Sequence, residues 1–194
     1  MTRIKICGMR RYEDIHFANE LLPDYIGFVL TEGFRRSITP ETASRLKKGL
    51  SGRIRAVGVF VNDSADKINL LFESNVIDIA QLHGDESPEY CRMIKAPIIK
   101  YFNCSHGVPD DLDKYDVDYF LLDSGTGTGR AFDWSNIPKT NKPFFLAGGI
   151  SEINVKQAID TVKPFAVDVS SSVETNGYKD YTKMKRFMEM ARYE

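Results

Sequence analysis

Along this chain the apolar residues gather into short, nearly uninterrupted runs rather than strict alternation. Eight such runs, rich in Val, Ile, Phe and Tyr, lie at Arg3 to Cys7, Asp24 to Leu30, Ile54 to Val61, Ile77 to His83, Pro97 to Phe102, Asp118 to Asp123, Pro143 to Ala147 and Phe165 to Ser170. Runs of this length and uniformity predict strands buried on both faces, the pattern of a parallel sheet. Between them, Tyr12 to Leu22, Pro40 to Gly49, Ser64 to Asn75, Ser87 to Lys95, Ser151 to Val162 and Tyr178 to Ala191 predict helices. Thr39 before Pro40 reads as an N-cap with proline at the first helical position, and Gly49 reads as a stop. Ser151, with Asn154 three residues later, offers a cap without the full capping box. After the fifth and sixth runs only short candidates occur, at Pro109 to Tyr115 and Asp133 to Ile137, so two helices are expected to be shortened.

Strand then helix, repeated eight times, predicts an α/β fold in one compact domain spanning residues 1–194. The pattern admits either a closed (β/α)8 TIM barrel or an open doubly wound sheet. A count of eight favours the barrel, a small one beside the usual length of about 250 residues.

Composition narrows the function classes. The formal net charge is −1, with acidic and basic side chains spread along the chain, so nothing calls for nucleic acid or an anionic membrane. An anionic ligand must then be met by local groups. No stretch approaches the roughly 20 apolar residues of a membrane span, and the N-terminus lacks the apolar core of a signal peptide. A cytoplasmic protein is expected. Cys7, Cys91 and Cys104 are too few and too irregularly spaced for a disulfide framework or a zinc site, and reduced thiols are the natural reading. Cys104 and His106 lie close together, but a lone pair makes no metal site without further ligands.

In a barrel the chemistry sits at the C-terminal ends of the strands. Here the runs end in Lys5-Ile6-Cys7-Gly8, Gln81-Leu82-His83-Gly84, Leu121-Leu122-Asp123, Ala147-Gly148-Gly149 and Asp168-Val169-Ser170-Ser171-Ser172. Gly148 and Gly149 let backbone N–H groups approach an anion, and Ser170 and Ser171 add further donors, which together suit a phosphate cradle after strands seven and eight. A glycine turn and a serine helix cap are the plainer alternative. Cys7 and Asp123 are candidates for proton transfer: a thiolate takes a proton from carbon, and a carboxylic acid on another strand protonates oxygen across the pocket. Taken singly, Cys7 also reads as a buried thiol and Asp123 as a cap. Gln81 and His83, two apart on a strand, share one face. Arg35 and Arg36, in the loop before Thr39, suit a substrate carboxylate.

These segments, in order and spacing, resemble one known family. Besides the strand ends they include Gly58-Val59-Phe60-Val61, the stretch from Gly127 to Trp134 with Phe132-Asp133-Trp134, and Pro164 to Ser171. The resemblance is to the phosphoribosylanthranilate isomerases and spans the whole chain. It implies an Amadori rearrangement of N-(5-phosphoribosyl)anthranilate to 1-(2-carboxyphenylamino)-1-deoxyribulose 5-phosphate in tryptophan biosynthesis, without cofactor or metal. It further implies Asp123 as general acid on the ring oxygen and Cys7 as general base at ribose C2. Arg36 is then the residue for the anthranilate carboxylate, with Arg35 as the alternative if the loop is shifted. Gly148, Gly149, Ser170 and Ser171 hold the phosphate, and Asp168, Gln81 and His83 line the pocket. The implied partner is a small-molecule sugar phosphate.

One departure stands out: family members commonly carry glycine where this chain has Ser172, and glycine would permit a backbone conformation that serine reaches only at some cost, so whether Ser172 alters the cradle stays open at this point. The glycine- and threonine-rich loop Gly125 to Gly129 is expected to be mobile and to close over the substrate, with a passive flexible linker as the alternative. Two rivals share parts of the pattern. Another sugar-phosphate barrel would use different acids and bases, and the related histidine-pathway isomerases resemble a two-aspartate arrangement at these strand ends. A non-catalytic phosphate binder would need neither Cys7 nor Asp123. Pattern alone sets no oligomeric state, so monomer and homodimer both stand.

Overall fold

A computed structural model describes residues 1–105, 107, 109, 111–123, 140 and 142–192. The eight runs are all strands: β1 (Arg3–Cys7), β2 (Tyr25–Val29), β3 (Arg55–Phe60), β4 (Ile79–Leu82), β5 (Ile98–Asn103), β6 (Tyr119–Asp123), β7 (Phe144–Ala147) and β8 (Ala166–Val169). Each pairs in parallel with the next, and β8 pairs back onto β1 through Arg3↔Ala166 to Ile6↔Val169. The sheet therefore closes, which excludes the open doubly wound alternative.

Closure explains the uninterrupted apolar runs. One parity of each strand fills the barrel interior, where Tyr25, Val57, Ile79, Ile99, Leu121, Phe145 and Ala166 form a core of their own. The other parity, including Ile4, Ile6, Ile26, Phe28 and Leu122, packs outward against the surrounding helices. Because side chains alternate strictly, stepping two residues on from the inner core leads to the C-terminal mouth. That step takes Ile79 to Gln81, Leu121 to Asp123 and Ala166 to Asp168.

The helices α1 (Tyr12–Leu21), α2 (Pro40–Lys48), α3 (Ala65–Glu73), α4 (Pro88–Cys91), α5 (Val155–Val162) and α6 (Tyr181–Ala191) follow strands one to four, seven and eight. Thr39 and Ser64 cap α2 and α3 by accepting from the N–H groups of Thr42 and Lys67. After β5 the described residues make a 3₁₀ turn at Leu112–Lys114, the shortened helix expected there. The candidate helix Asp133 to Ile137, the loop Gly125 to Gly129, the Phe132-Asp133-Trp134 segment and His106 lie outside the described residues.

Three helix expectations need correction. The helix expected over Ser87 to Lys95 is one turn, because the Asn69 side chain takes the Met93 carbonyl and the Lys95 N–H that a longer helix would use. At α5 the cap is not Ser151. The Asn154 side chain instead accepts from the Ser151 N–H at 2.8 Å, and the helix begins at Val155. Finally, Tyr178 does not open the last helix. It belongs to a two-stranded antiparallel hairpin, β9 (Glu174–Thr175) and β10 (Tyr178–Lys179), turned by Asn176 and Gly177 with φ of 52° and 80°. An Asn-Gly pair with positive φ at both positions is the tight turn whose twist matches paired strands. Asp180 then caps α6 by accepting from the Lys183 N–H at 3.1 Å.

Candidate active site

At the C-terminal mouth of the barrel lies a cavity of about 490 Å³. It is lined by all ten candidate residues: Cys7, Arg36, Gln81, His83, Asp123, Gly148, Gly149, Asp168, Ser170 and Ser171. They come from six strands or the loops that follow them, so only barrel closure brings them together.

Cys7 ends β1 and is half-buried. Burial pushes its thiol up, while the positive charges of Lys5 and Lys179 pull the other way. Lys5, two residues earlier on the same face, is fully buried and donates to Asp168 Oδ2 at 2.7 Å. Burial works against the Lys5 ammonium, but Asp168 and the Cys7 sulfur more than offset it, and its pKa is raised. A buried lysine is therefore held charged beside the candidate base, paired with a carboxylate as such burial requires. Among the described residues Asp168 Oδ1 has no hydrogen-bond partner, and neither has Gln81 Oε1. Both are buried acceptors on residues that line the cavity, where an unmet acceptor costs about 1–3 kcal/mol.

His83 stacks on Tyr101 with ring centroids 3.9 Å apart, and its Nδ1 lies 2.8 Å from Gln81 Nε2. With the amide as donor, Nδ1 accepts and the ring hydrogen falls on Nε2, an assignment that follows from the orientation of the Gln81 amide. Burial, then the charges of Lys5 and Lys100, pull the imidazole down to about 4. His83 is thus a neutral donor at neutral pH. Asp123 ends β6, in register with Asn103 on one side and Ala147 on the other.

Gly148 and Gly149 follow β7 with φ of 86° and 64°. A Cβ on Gly149 would meet nothing, so backbone conformation rather than crowding requires glycine there. Ser170 leads into a 3₁₀ turn at Ser171–Val173, and its hydroxyl donates to the Cys7 carbonyl at 3.0 Å. Ser172 does not need the conformation that glycine alone reaches easily. That residue sits inside the turn without a positive φ, and its hydroxyl donates to the Ile150 carbonyl at 2.7 Å.

Of the two adjacent arginines, Arg36 is the more enclosed, 21% exposed against 61% for Arg35. Both pair with Glu174 on the hairpin, and so does Lys179. Sequence reasoning did not single out Glu174, Lys179 or Lys5 as site residues. The Asn176-Gly177 turn signal was present and would have separated the hairpin from α6.

Comparison with known proteins bears on this geometry. Residues 4–190 match the family model described as N-(5'-phosphoribosyl)anthranilate (PRA) isomerase. The N-(5'-phosphoribosyl)anthranilate isomerase of Caldanaerobacter subterraneus is 46% identical, with 99% of this chain and 98% of that protein covered. The crystal structure of phosphoribosyl anthranilate isomerase from Thermotoga maritima superposes with a TM-score of 0.89 at 38% identity, covering 99% of both chains. A solved phosphoribosyl anthranilate isomerase in complex with reduced 1-(o-carboxyphenylamino)-1-deoxyribulose 5-phosphate superposes with a TM-score of 0.81 at 35% identity, also covering 99% of both. On this evidence the chain belongs to the N-(5'-phosphoribosyl)anthranilate isomerase family.

Proposed function

We propose that this chain isomerises N-(5'-phosphoribosyl)anthranilate with Cys7 as general base and Asp123 as general acid, acting as a single catalytic domain over residues 1–194. The observation that carries the assignment is that Cys7 and Asp123 line the same cavity as two groups suited to anions, Arg36 on one hand and the glycine and serine turns on the other. Gly148, Gly149, Ser170 and Ser171 hold the phosphate through backbone N–H groups, with the Ser171 hydroxyl as a further donor, since the Ser170 hydroxyl already donates to the Cys7 carbonyl. Arg36 takes the aryl carboxylate.

With both ends fixed, the ribose spans the mouth between β1 and β6. Asp123 protonates the ring oxygen and the C1–O bond breaks, leaving a Schiff base between C1 and the anthranilate nitrogen. Cys7, as thiolate, removes the proton from C2, and the electron pair moves into an enolamine. Tautomerisation gives the 2-ketose, so atoms and electrons balance within the substrate. The unpartnered Asp168 Oδ1 and Gln81 Oε1 suit the sugar hydroxyls, and His83 presents its Nε2–H. Burial favours the protonated Cys7 thiol, and the Lys5 and Lys179 charges favour the thiolate on which the base step draws.

Localisation follows the same reading. Among the described residues no helix is long and apolar enough to cross a membrane, and Cys7, Cys91 and Cys104 are free thiols, which suits the cytoplasm.

Loss of anthranilate fluorescence on mixing the protein with freshly made phosphoribosylanthranilate tests the assignment. Cys7→Ser and Asp123→Asn are each expected to lower kcat by about 10²–10⁴-fold, with affinity for the reduced product analogue within about threefold of wild type. Unchanged turnover in either variant removes that residue from its role.

A further inference from the structure

Glu174 is an acidic side chain paired with Arg35 and Arg36, two arginines that line the cavity. Its side chain is 5% exposed and accepts four hydrogen bonds. Oε1 accepts from Arg36 Nε at 2.6 Å and Lys179 Nζ at 2.9 Å, and Oε2 accepts from Arg36 Nη2 at 2.9 Å and Arg35 Nη2 at 2.7 Å. Burial alone would raise its carboxyl, but hydrogen bonds from Arg36 and Lys179 hold it down to about 2. It is a fixed negative charge.

A guanidinium offers five N–H donors in a rigid planar fork. Glu174 occupies the Nε edge of Arg36, leaving Nη1 and the second Nη2 hydrogen for a ligand. The backbone under this arginine is equally constrained, since a Cβ on Gly8 would lie 2.4 Å from Arg36 Cδ. Lys179 extends the linkage. Its ammonium donates both to Glu174 and to the Ser170 carbonyl at 2.8 Å, and the Ser170 hydroxyl reaches the Cys7 carbonyl. Arg10 closes the circuit by donating to the Arg35 carbonyl and to Gly177 at the hairpin tip.

We infer that Glu174 is a positioning residue: it clamps the Nε edge of Arg36 so that the opposite edge faces the aryl carboxylate, and through Lys179 it ties that anchor to the phosphate turn. The inference rests on the assignment of Arg36 to the carboxylate proposed above. A clamp of this kind fixes the distance between the two ends of the substrate. An unclamped arginine would sample rotamers and lose part of its bidentate geometry.

The test uses the whole chain and two probes, reduced 1-(o-carboxyphenylamino)-1-deoxyribulose 5-phosphate and its counterpart lacking the ring carboxyl. Wild type is expected to prefer the carboxylated probe. Glu174→Gln should raise KM about tenfold or more with kcat within about threefold, and should abolish most of that preference. Since Glu174→Gln strands a buried lysine, Glu174→Gln/Lys179→Met supplies a second variant without that unpaired charge and should lose the preference as well. Equal weakening of both probes would mean a merely structural role and overturn the proposal. A folded double variant with wild-type preference would overturn it too, while loss of preference in Arg36→Ala would leave the arginine assignment standing. If Arg36→Ala keeps the preference and Arg35→Ala loses it, both the assignment and the clamp fail.

Discussion

Gly27 stands directly opposite Cys7 in the β1–β2 pair, and a Cβ built on Gly27 would lie 2.5 Å from the Cys7 sulfur and 3.1 Å from its Cα. The thiol therefore occupies the space that any other residue at position 27 would fill. The Gly27 carbonyl also accepts from the N–H groups of Gly8 and Met9, both at 2.9 Å, which fixes the chain just beyond the sulfur.

Gly27→Ala is accordingly expected to displace the sulfur and strain the strand pair. Overpacking of this kind costs about 1–3 kcal/mol, measurable by urea unfolding. Because misplacement by about 1 Å costs up to about 10²-fold in rate, kcat should fall at least about tenfold while KM stays within about threefold. A folded variant with wild-type kcat would show that the position of the sulfur is not critical.

The ionisation of Cys7 can be followed by iodoacetamide alkylation and peptide mapping between pH 6 and pH 10. Only the thiolate reacts, and burial disfavours the thiolate, so the midpoint of the rate should lie above the ordinary thiol value of about 8.5. Cys91 and Cys104 are buried, with thiols pushed up by that burial to about 11, and should label far more slowly. A Cys7 midpoint below about 7.5 would mean that the charges of Lys5 and Lys179 outweigh burial, reversing the sign argued above.

Ser172 occupies the position where family resemblance suggested that glycine would be the easier residue. Its backbone is unstrained and its hydroxyl is bonded to Ile150, so Ser172→Gly should destabilise the chain by about 1–2 kcal/mol through the lost hydrogen bond and added unfolded-state freedom. Inhibition by inorganic phosphate should change less than about threefold. Tighter phosphate inhibition together with higher stability would show that serine holds the cradle away from its best geometry.

Much of the site could be read from the chain because its members are local features of strand ends. Cys7, Gln81, His83, Asp123 and Asp168 each stand at or near the end of an apolar run, and strict alternation puts them on the inward face. Gly148 and Gly149 announce a backbone conformation, and Ser170 and Ser171 follow the last strand at once. Periodicity and punctuation suffice for such residues.

The groups that position these side chains were not readable in the same way. Lys5 finds Asp168 across 163 positions of sequence, and Arg36 finds Glu174 across 138, contacts made only when β8 closes onto β1 and the hairpin packs against the arginine loop. Glu174 precedes a stretch that reads as helix, and Gly27 reads as one small residue in an apolar run until its register with Cys7 is known. The sequence by itself determined the eight strands, their inward parity and the chemical types at their ends, because these depend on neighbours two to four residues away. Tertiary structure decided which charges are neutralised, which acceptors are left for the substrate and which glycine makes room for the thiol, because barrel closure sets distances between residues that no local pattern relates.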